Sequence, residues 1–296
     1  MIKTLQSHFV EEIYAHAQQT LDSFYTDGIL LTTPANDVDV IGATQYLQPN
    51  NLLSILKASP EYQKTQDLRV AASLWNKAYS WTPLPGVLAF MTWAGVGFDA
   101  SLDNVSFVFK DGELQALWFH DPSRTVIYPE RCPISIPNGY PGKLANSVDE
   151  LYNSVFTGLF QNHLLPIINR LHTLTKVSKK TLWGNAVNAS YGIFEDLDGY
   201  AKKEAIQTDY SVLFEQPHSL VLSNSVQETL QKPNPLYNLI RSEKFNEPGL
   251  PTQMKVRKTC CLIALIPPDY SKCGNCPLLK PSDRIARMKK KLAQAH

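Results

Sequence analysis

Residues 258–279 read K-T-C-C-L-I-A-L-I-P-P-D-Y-S-K-C-G-N-C-P-L-L and hold four of the chain's five cysteines within seventeen positions. Cys260 and Cys261 are adjacent, and Cys273 and Cys276 enclose a C-G-N-C. A structural zinc site usually offers two C-x-x-C knuckles, each closing on one metal with two thiolates. Cys273-x-x-Cys276 is such a knuckle, with Gly274 expected to allow the tight turn and Pro277 to stiffen it. Cys260-Cys261 is not, because adjacent side chains diverge along an extended chain and cannot chelate one ion without strain. Diverging sulfurs can serve different metals of a larger object. Iron–sulfur clusters are held by four thiolates, and a [2Fe–2S] rhomb presents two irons with two sites each. The spacing therefore favours a binuclear cluster over zinc, with a zinc-stabilised binding module lacking redox activity as the alternative.

The rest of the chain supplies the setting. Its 296 residues are 44% hydrophobic and 19% charged, a globular composition. The start, M-I-K-T-L-Q-S-H-F-V-E-E, carries acids where a secretory signal would place its apolar run. No stretch approaches the roughly 18 uninterrupted apolar residues of a membrane span. A soluble, cytosolic chain is expected, and there thiols stay reduced and paired cysteines more often hold metal than disulfides. The net charge of +1 hides an asymmetry: residues 251–296 carry ten Lys and Arg against two acids. Arg284, Arg287 and Lys289–Lys291 read as a solvated tail or as a docking surface for an acidic partner.

Pattern and punctuation predict an α+β protein, with a predominantly helical C-terminal half and a small antiparallel sheet in the N-terminal half. An amphipathic helix opens the chain over 2–24, on Leu5, Phe9, Ile13 and Ala17. More helix is expected over 44–58, interrupted by Pro49. Alternation on both sides of Asp111-Gly112 predicts a β-hairpin at 105–119 with a type I′ turn, and the apolar run 86–93 is a candidate third strand. Five prolines between 121 and 142 mark an irregular connection, which divides the chain into an N-terminal α+β domain, 1–140, and a helical domain, 141–296, ending in the cluster segment 255–280. Ser147-x-x-Glu150 reads as a capping box. Pro166 should kink the helix that follows. Further helices are expected from Ser178 and around 197–215.

Other candidate chemistries are weaker. Gly95-x-Gly97-x-x-Ala100 lacks the helix that a dinucleotide fingerprint requires after it. His120-Asp121 ends a strand, His163 reads as a satisfied core histidine, and Cys132 is a spare thiol.

The cysteine pattern C-C, eleven residues, C-x-x-C-P-L resembles the C-terminal [2Fe–2S] motif of the FhuF family of ferric-siderophore reductases, with a spacer one residue longer than usual. Lys255-x-Arg257-Lys258 before the pair is similar to that family too. Leu182-Trp183-Gly184-Asn185 resembles its L-W-G-N segment, and His163-Leu164-Leu165-Pro166 the helix preceding it. The resemblance implies a cytosolic enzyme that reduces ferric siderophores, of hydroxamate type, by one electron. Cys260, Cys261, Cys273 and Cys276 would hold the cluster, and Asn185, Lys255, Arg257 and Lys258 would contact substrate or donor. It also implies a ferredoxin or flavin reductase as donor, association with the inner face of the membrane, and no nucleic acid. The chemistry is coherent, since a hard oxygen shell holds Fe(III) far more tightly than Fe(II) and one electron releases the metal. An iron–sulfur electron-transfer or sensor protein is the alternative within redox chemistry.

Overall fold

In the computed structural model, residues 5–219 and 232–294 are described. The opening helix, α1 (Leu5–Thr20), buries Phe9, Val10, Ile13 and Ala17 along one stripe. Three short helices follow: α2 (Ala43–Tyr46), α3 (Pro49–Ala58) and α4 (Pro60–Thr65). The interruption expected at Pro49 falls between α2 and α3, and Pro49 itself opens α3, because a first-turn residue has no intrahelical partner for its missing N–H. Two helices central to the molecule come next, α5 (Leu68–Ser80) and α6 (Pro83–Ala94).

The run 86–93 is therefore helix, not the expected third strand. All twelve residues of α6 are buried, and a run that is apolar on every side carries neither helical nor strand periodicity. The prolines at its entrance and Gly95 at its exit, in the left-handed region at φ 64°, are the boundary signals that identify it.

Around these helices lies a four-stranded sheet, built from β1 (Ile29–Leu30), β2 (Asp39–Gly42), β4 (Val105–Lys110) and β5 (Glu113–Phe119) in the order β1-β5-β4-β2. The hairpin β4–β5 turns at Asp111 and Gly112, both at positive φ (52° and 79°), as a type I′ turn requires. The sheet is mixed, since β1 pairs with β5 in parallel. Short strands β3 (Val96–Gly97), β6 (Val126–Ile127) and β7 (Lys143–Leu144) form a second mixed sheet, using the proline-rich connection.

The C-terminal half is mostly helical. Ser147 caps α7 (Val148–Val155), its Oγ accepting from Glu150 N at 3.3 Å, while the Glu150 carboxylate reaches back to Asn146 N at 2.8 Å. Residues Phe156–Leu164 wind as a π-helix before α8 (Leu165–Thr175), so a change of pitch precedes Pro166. Then come α9 (Lys179–Ser190), α10 (Ile193–Asp196) and α11 (Lys203–Phe214). A two-residue pair, β8 (His218–Ser219) and β9 (Lys232–Pro233), precedes an antiparallel hairpin, β10 (Ile240–Lys244) and β11 (Gln253–Arg257), and the chain ends in α12 (Pro281–Gln294).

Buried side chains from Phe9 to Leu239 share one hydrophobic core. A separate, smaller one joins Val70 and Leu74 of α5 to Cys261, with Leu262, Ile263, Ile266 and Cys273 against it. Helix α5 thus buries one face in the main core and offers another to the cysteine segment.

Candidate metal centre

Strand β11 delivers the chain to the site. Beyond Arg257 it has little regular structure, apart from a 3₁₀ turn at Ile263–Leu265 that packs on α5. The two cysteine-bearing limbs are tied by Arg257 N donating to Asn275 O at 3.1 Å, and the knuckle closes with Cys276 N on Cys273 O at 3.1 Å. Gly274 has no positive φ, and a Cβ there would meet nothing within 4 Å, so the turn does not depend on glycine. Gly184 is different. A Cβ built on it lands on Thr259 Oγ1, so glycine in α9 is what lets the 257–261 segment approach.

The four thiols gather at one site, where Cys260 feels both Cys276 and Cys261, and Cys273 feels both Cys261 and Cys276. Cys261 and Cys276 are buried; Cys260 and Cys273 are partly exposed. Leu262 N donates to Cys260 Sγ at 3.3 Å. The Cys261 thiol is lowered to about 5, chiefly by the hydrogen bond from Cys273, then by the Ile263 amide and the charges of Arg257 and Lys77, against the opposing effect of burial. Cys273 is raised, because sharing that bond keeps its proton in place. Cys260 is raised mainly by burial. Among the described residues no three His, Cys, Asp or Glu side chains are placed to share one ion. Four converging thiols suit a binuclear cluster, in which each iron takes two thiolates.

Polar groups around the thiols are unusually incomplete. Arg257 is 1% exposed, with one Nη2 donating to Asn185 Oδ1 while its Nε and Nη1 have no partner. Thr259 Oγ1 and Arg284 Nε are likewise buried and unpartnered. Buried donors without acceptors each cost about 1–3 kcal/mol, and these four atoms belong to three residues that adjoin the cysteines in sequence or hold their loop. An anionic, sulfur-rich group at the thiols supplies the missing acceptors, so these residues fit a [2Fe–2S] cluster.

The supporting network reaches deep into the core. Asn185, from α9, donates through Nδ2 to Ser73 O at 2.8 Å and to Ser73 Oγ at 3.2 Å, both on α5. Ser73 Oγ in turn donates to Cys261 O at 2.9 Å. From the other side, Arg284 of α12 reaches the knuckle, with Nη1 on Gly274 O at 2.8 Å and Nη2 on Cys276 O at 3.1 Å.

The structure sorts the residues singled out from sequence. Cys260, Cys261, Cys273 and Cys276 converge, while Cys132 packs on the main core with its thiol raised by burial. Asn185 and Arg257 are enclosed and meet each other, so their side chains face neither solvent nor a docking partner. Lys258 is exposed and hydrogen-bonds Asn238. Lys255 lies over the Tyr210 ring, 5.2 Å from its centroid, in an open groove of about 350 Å³ with Tyr237 and Arg241. His163 is buried with both ring nitrogens engaged, by Tyr79 OH and Ala100 O. Arg284, read as part of a solvated tail, is 1% exposed and clamps the knuckle. No local pattern marks it, because its partners lie on the preceding loop; the cue was a basic residue at the first turn of a helix directly after the last cysteine. Ser73 was missed for a different reason, its partners being far away in sequence.

Comparison with known proteins agrees with this geometry. Residues 73–243 match the family described as ferric iron reductase FhuF-like transporter, and residues 257–278 match the FhuF 2Fe-2S C-terminal domain. No curated protein matches. Among solved structures, the fold is similar to aerobactin synthetase IucC from Klebsiella pneumoniae, with a TM-score of 0.58 at 13% identity over 78% of this chain and 46% of that one. Aerobactin synthetase IucA from the same organism gives 0.56 at 15% identity, over 79% and 50%. The petrobactin biosynthesis protein AsbB from Bacillus anthracis gives 0.54 at 12%, over 79% and 47%. The chain spans about half the length of these synthetases, and at such identities the likeness concerns fold alone. The family match covers more than half of the chain and its cysteine segment matches separately: the chain belongs to the FhuF family, and its cofactor is a [2Fe–2S] cluster.

Proposed function

We propose that the protein is a ferric-siderophore reductase in which Cys260, Cys261, Cys273 and Cys276 hold the cluster. The observation that carries this reading is a four-thiol site at the protein surface, with Cys260 and Cys273 partly open to solvent. Bound there, the cluster supplies electrons one at a time. The protein's own part is to hold the thiols in place through Ser73, Arg284 and the Arg257–Asn275 backbone bond, and to keep water from the buried pair. With the cluster held by these four cysteines, a ferredoxin-type or flavin-dependent donor would supply the electron and the Fe(III) of the chelate would receive it. Fe(II) then departs, and the freed hydroxamate oxygens take up protons from water. The match to the family described as ferric iron reductase FhuF-like transporter supports ferric iron as what the site reduces. Lys255, with Tyr210, Tyr237 and Arg241, offers aromatic and cationic contacts suited to such a chelate.

The test mixes anaerobically reduced protein with a ferric hydroxamate, a ferric catecholate or no chelate, following reoxidation in the visible and Fe(II) with a ferrous trap. Stoichiometric Fe(II) from a chelate is the expected outcome. Reoxidation only by other redox proteins favours an electron-transfer protein, and a colourless, iron-free, zinc-loaded protein overturns the reading.

A further inference from the structure

Arg257 is an ion without a counter-ion. Its guanidinium is fully buried, and its one side-chain partner is the neutral amide of Asn185. No carboxylate pairs with it among the described residues. An unpaired buried charge costs several kcal/mol, so a chain that keeps one has an anion to place beside it. The chain also spends a second residue on aiming it. Asn185 is itself fixed through its Nδ2 by Ser73 of α5, which leaves Oδ1 to hold Nη2 and turns Nε and Nη1 away unpartnered. Ser73 is bound directly to the Cys261 backbone, so the same network positions both guanidinium and thiolate.

We propose that Arg257 is the built-in counter-charge of the [2Fe–2S] cluster, that its free Nε–H and Nη1–H donate to cluster sulfur, and that Asn185 of the L-W-G-N segment is the positioning residue that aims it. Two ferric ions, two sulfides and four thiolates form a dianion, and one-electron reduction makes a trianion. A fixed cation and sulfur-directed hydrogen bonds favour the more negative state and raise the reduction potential. Arg284 is the contrasting case, since it satisfies loop carbonyls and has Glu243 at 3.4 Å. Its charge is partly cancelled and its work is mechanical.

The inference rests on the ligation proposed above, and its test uses the cluster-loaded full chain with no chelate or donor present. The midpoint potential is read by spectroelectrochemical titration and sulfur hydrogen bonding by resonance Raman. Arg257→Gln should shift the midpoint to more negative values and shift the Fe–S stretching bands. Arg257→Lys should stay nearer the wild type. Asn185→Asp should shift the midpoint in the same direction as Arg257→Gln although the arginine is intact, because a carboxylate now neutralises it. A fully loaded Arg257→Gln protein with the wild-type midpoint overturns the proposal, and so does a Lys variant that falls as far as Gln. If neither Arg257 variant holds a cluster, the residue is a packing element and the proposal fails. If only the Gln variant fails to load, an unchanged midpoint in Asn185→Asp overturns it. Cysteine variants that keep the wild-type spectrum would instead sink the ligation reading, so the two failures are told apart.

Discussion

Two arginines, one partly and one wholly buried, make the same side chain tell two stories. Arg131, between α6 and α11, meets Asp209 with two hydrogen bonds of 2.8 and 2.9 Å, and Tyr152 OH completes the group on the same carboxylate. Burial and the Asp209 charge push the Tyr152 hydroxyl well above its ordinary range, so it stays a donor. Arg257, more deeply enclosed, meets an amide and two empty directions. At Arg131 the chain supplies both partners of the buried contact, whereas at Arg257 it supplies one partner and leaves two donors to the cofactor. The first group is complete as a polypeptide; the second is complete only as a metalloprotein.

The sharpest way to break that comparison is to remove a thiolate. Cys261→Ser should lose most of the visible absorption and the bound iron and sulfide, while Cys132→Ser leaves them unchanged. A wild-type spectrum in Cys261→Ser would put the unsatisfied donors back in need of an explanation. Next in size, Asp209→Asn strands Arg131 in the finished core and should cost about 3–5 kcal/mol in urea unfolding of the loaded protein. In the cluster-free protein Arg257→Met should be neutral or stabilising, since there is no anion for the guanidinium to face.

The histidine in the core gives a third, smaller test. Burial lowers His163 from 6.5 to about 4, the Ala100 carbonyl opposing it in part. The unfolded chain therefore binds a proton that the folded one refuses between those values. Stability should fall as pH drops from 6.5 toward 4, by an amount on the order of 3 kcal/mol, and His163→Gln should flatten the urea-midpoint profile across that window. Smallest is the surface term. Lys258→Glu should slow cluster reduction by an acidic ferredoxin a few-fold at low salt, with the difference vanishing at high salt. Equal slowing by Arg257→Gln at all salt concentrations would separate the interior cation from the exterior one.

What could be read in advance divides along the same line. The cysteine spacing exposed its own chemistry because metal ligation is written in short-range geometry, and the hairpin announced itself through Asp111-Gly112. Helix α6 was mistaken for a strand because a segment buried on every side loses the periodicity that tells the two apart. The placement of Arg257 and Arg284 was hidden for another reason. Both look like members of a basic surface run, and only contacts with Asn185 on α9, or with the carbonyls of a folded loop, show that they point inward. A buried charge has no local signature, since its partner is set by tertiary structure.

The origin of the thiols bears on how the holoprotein comes into being. Cys260 and Cys261 come from one limb of the loop and Cys273 and Cys276 from the other, so the site draws two sulfurs from each. In the folded arrangement neither limb alone presents a complete seat for the cluster. Cofactor delivery should then wait until β11, α5 and α12 have brought the limbs together, and a nascent chain released before α12 would have nothing to offer a cluster donor. Loading of the cluster should therefore report that α12 has docked on the cysteine loop through Arg284.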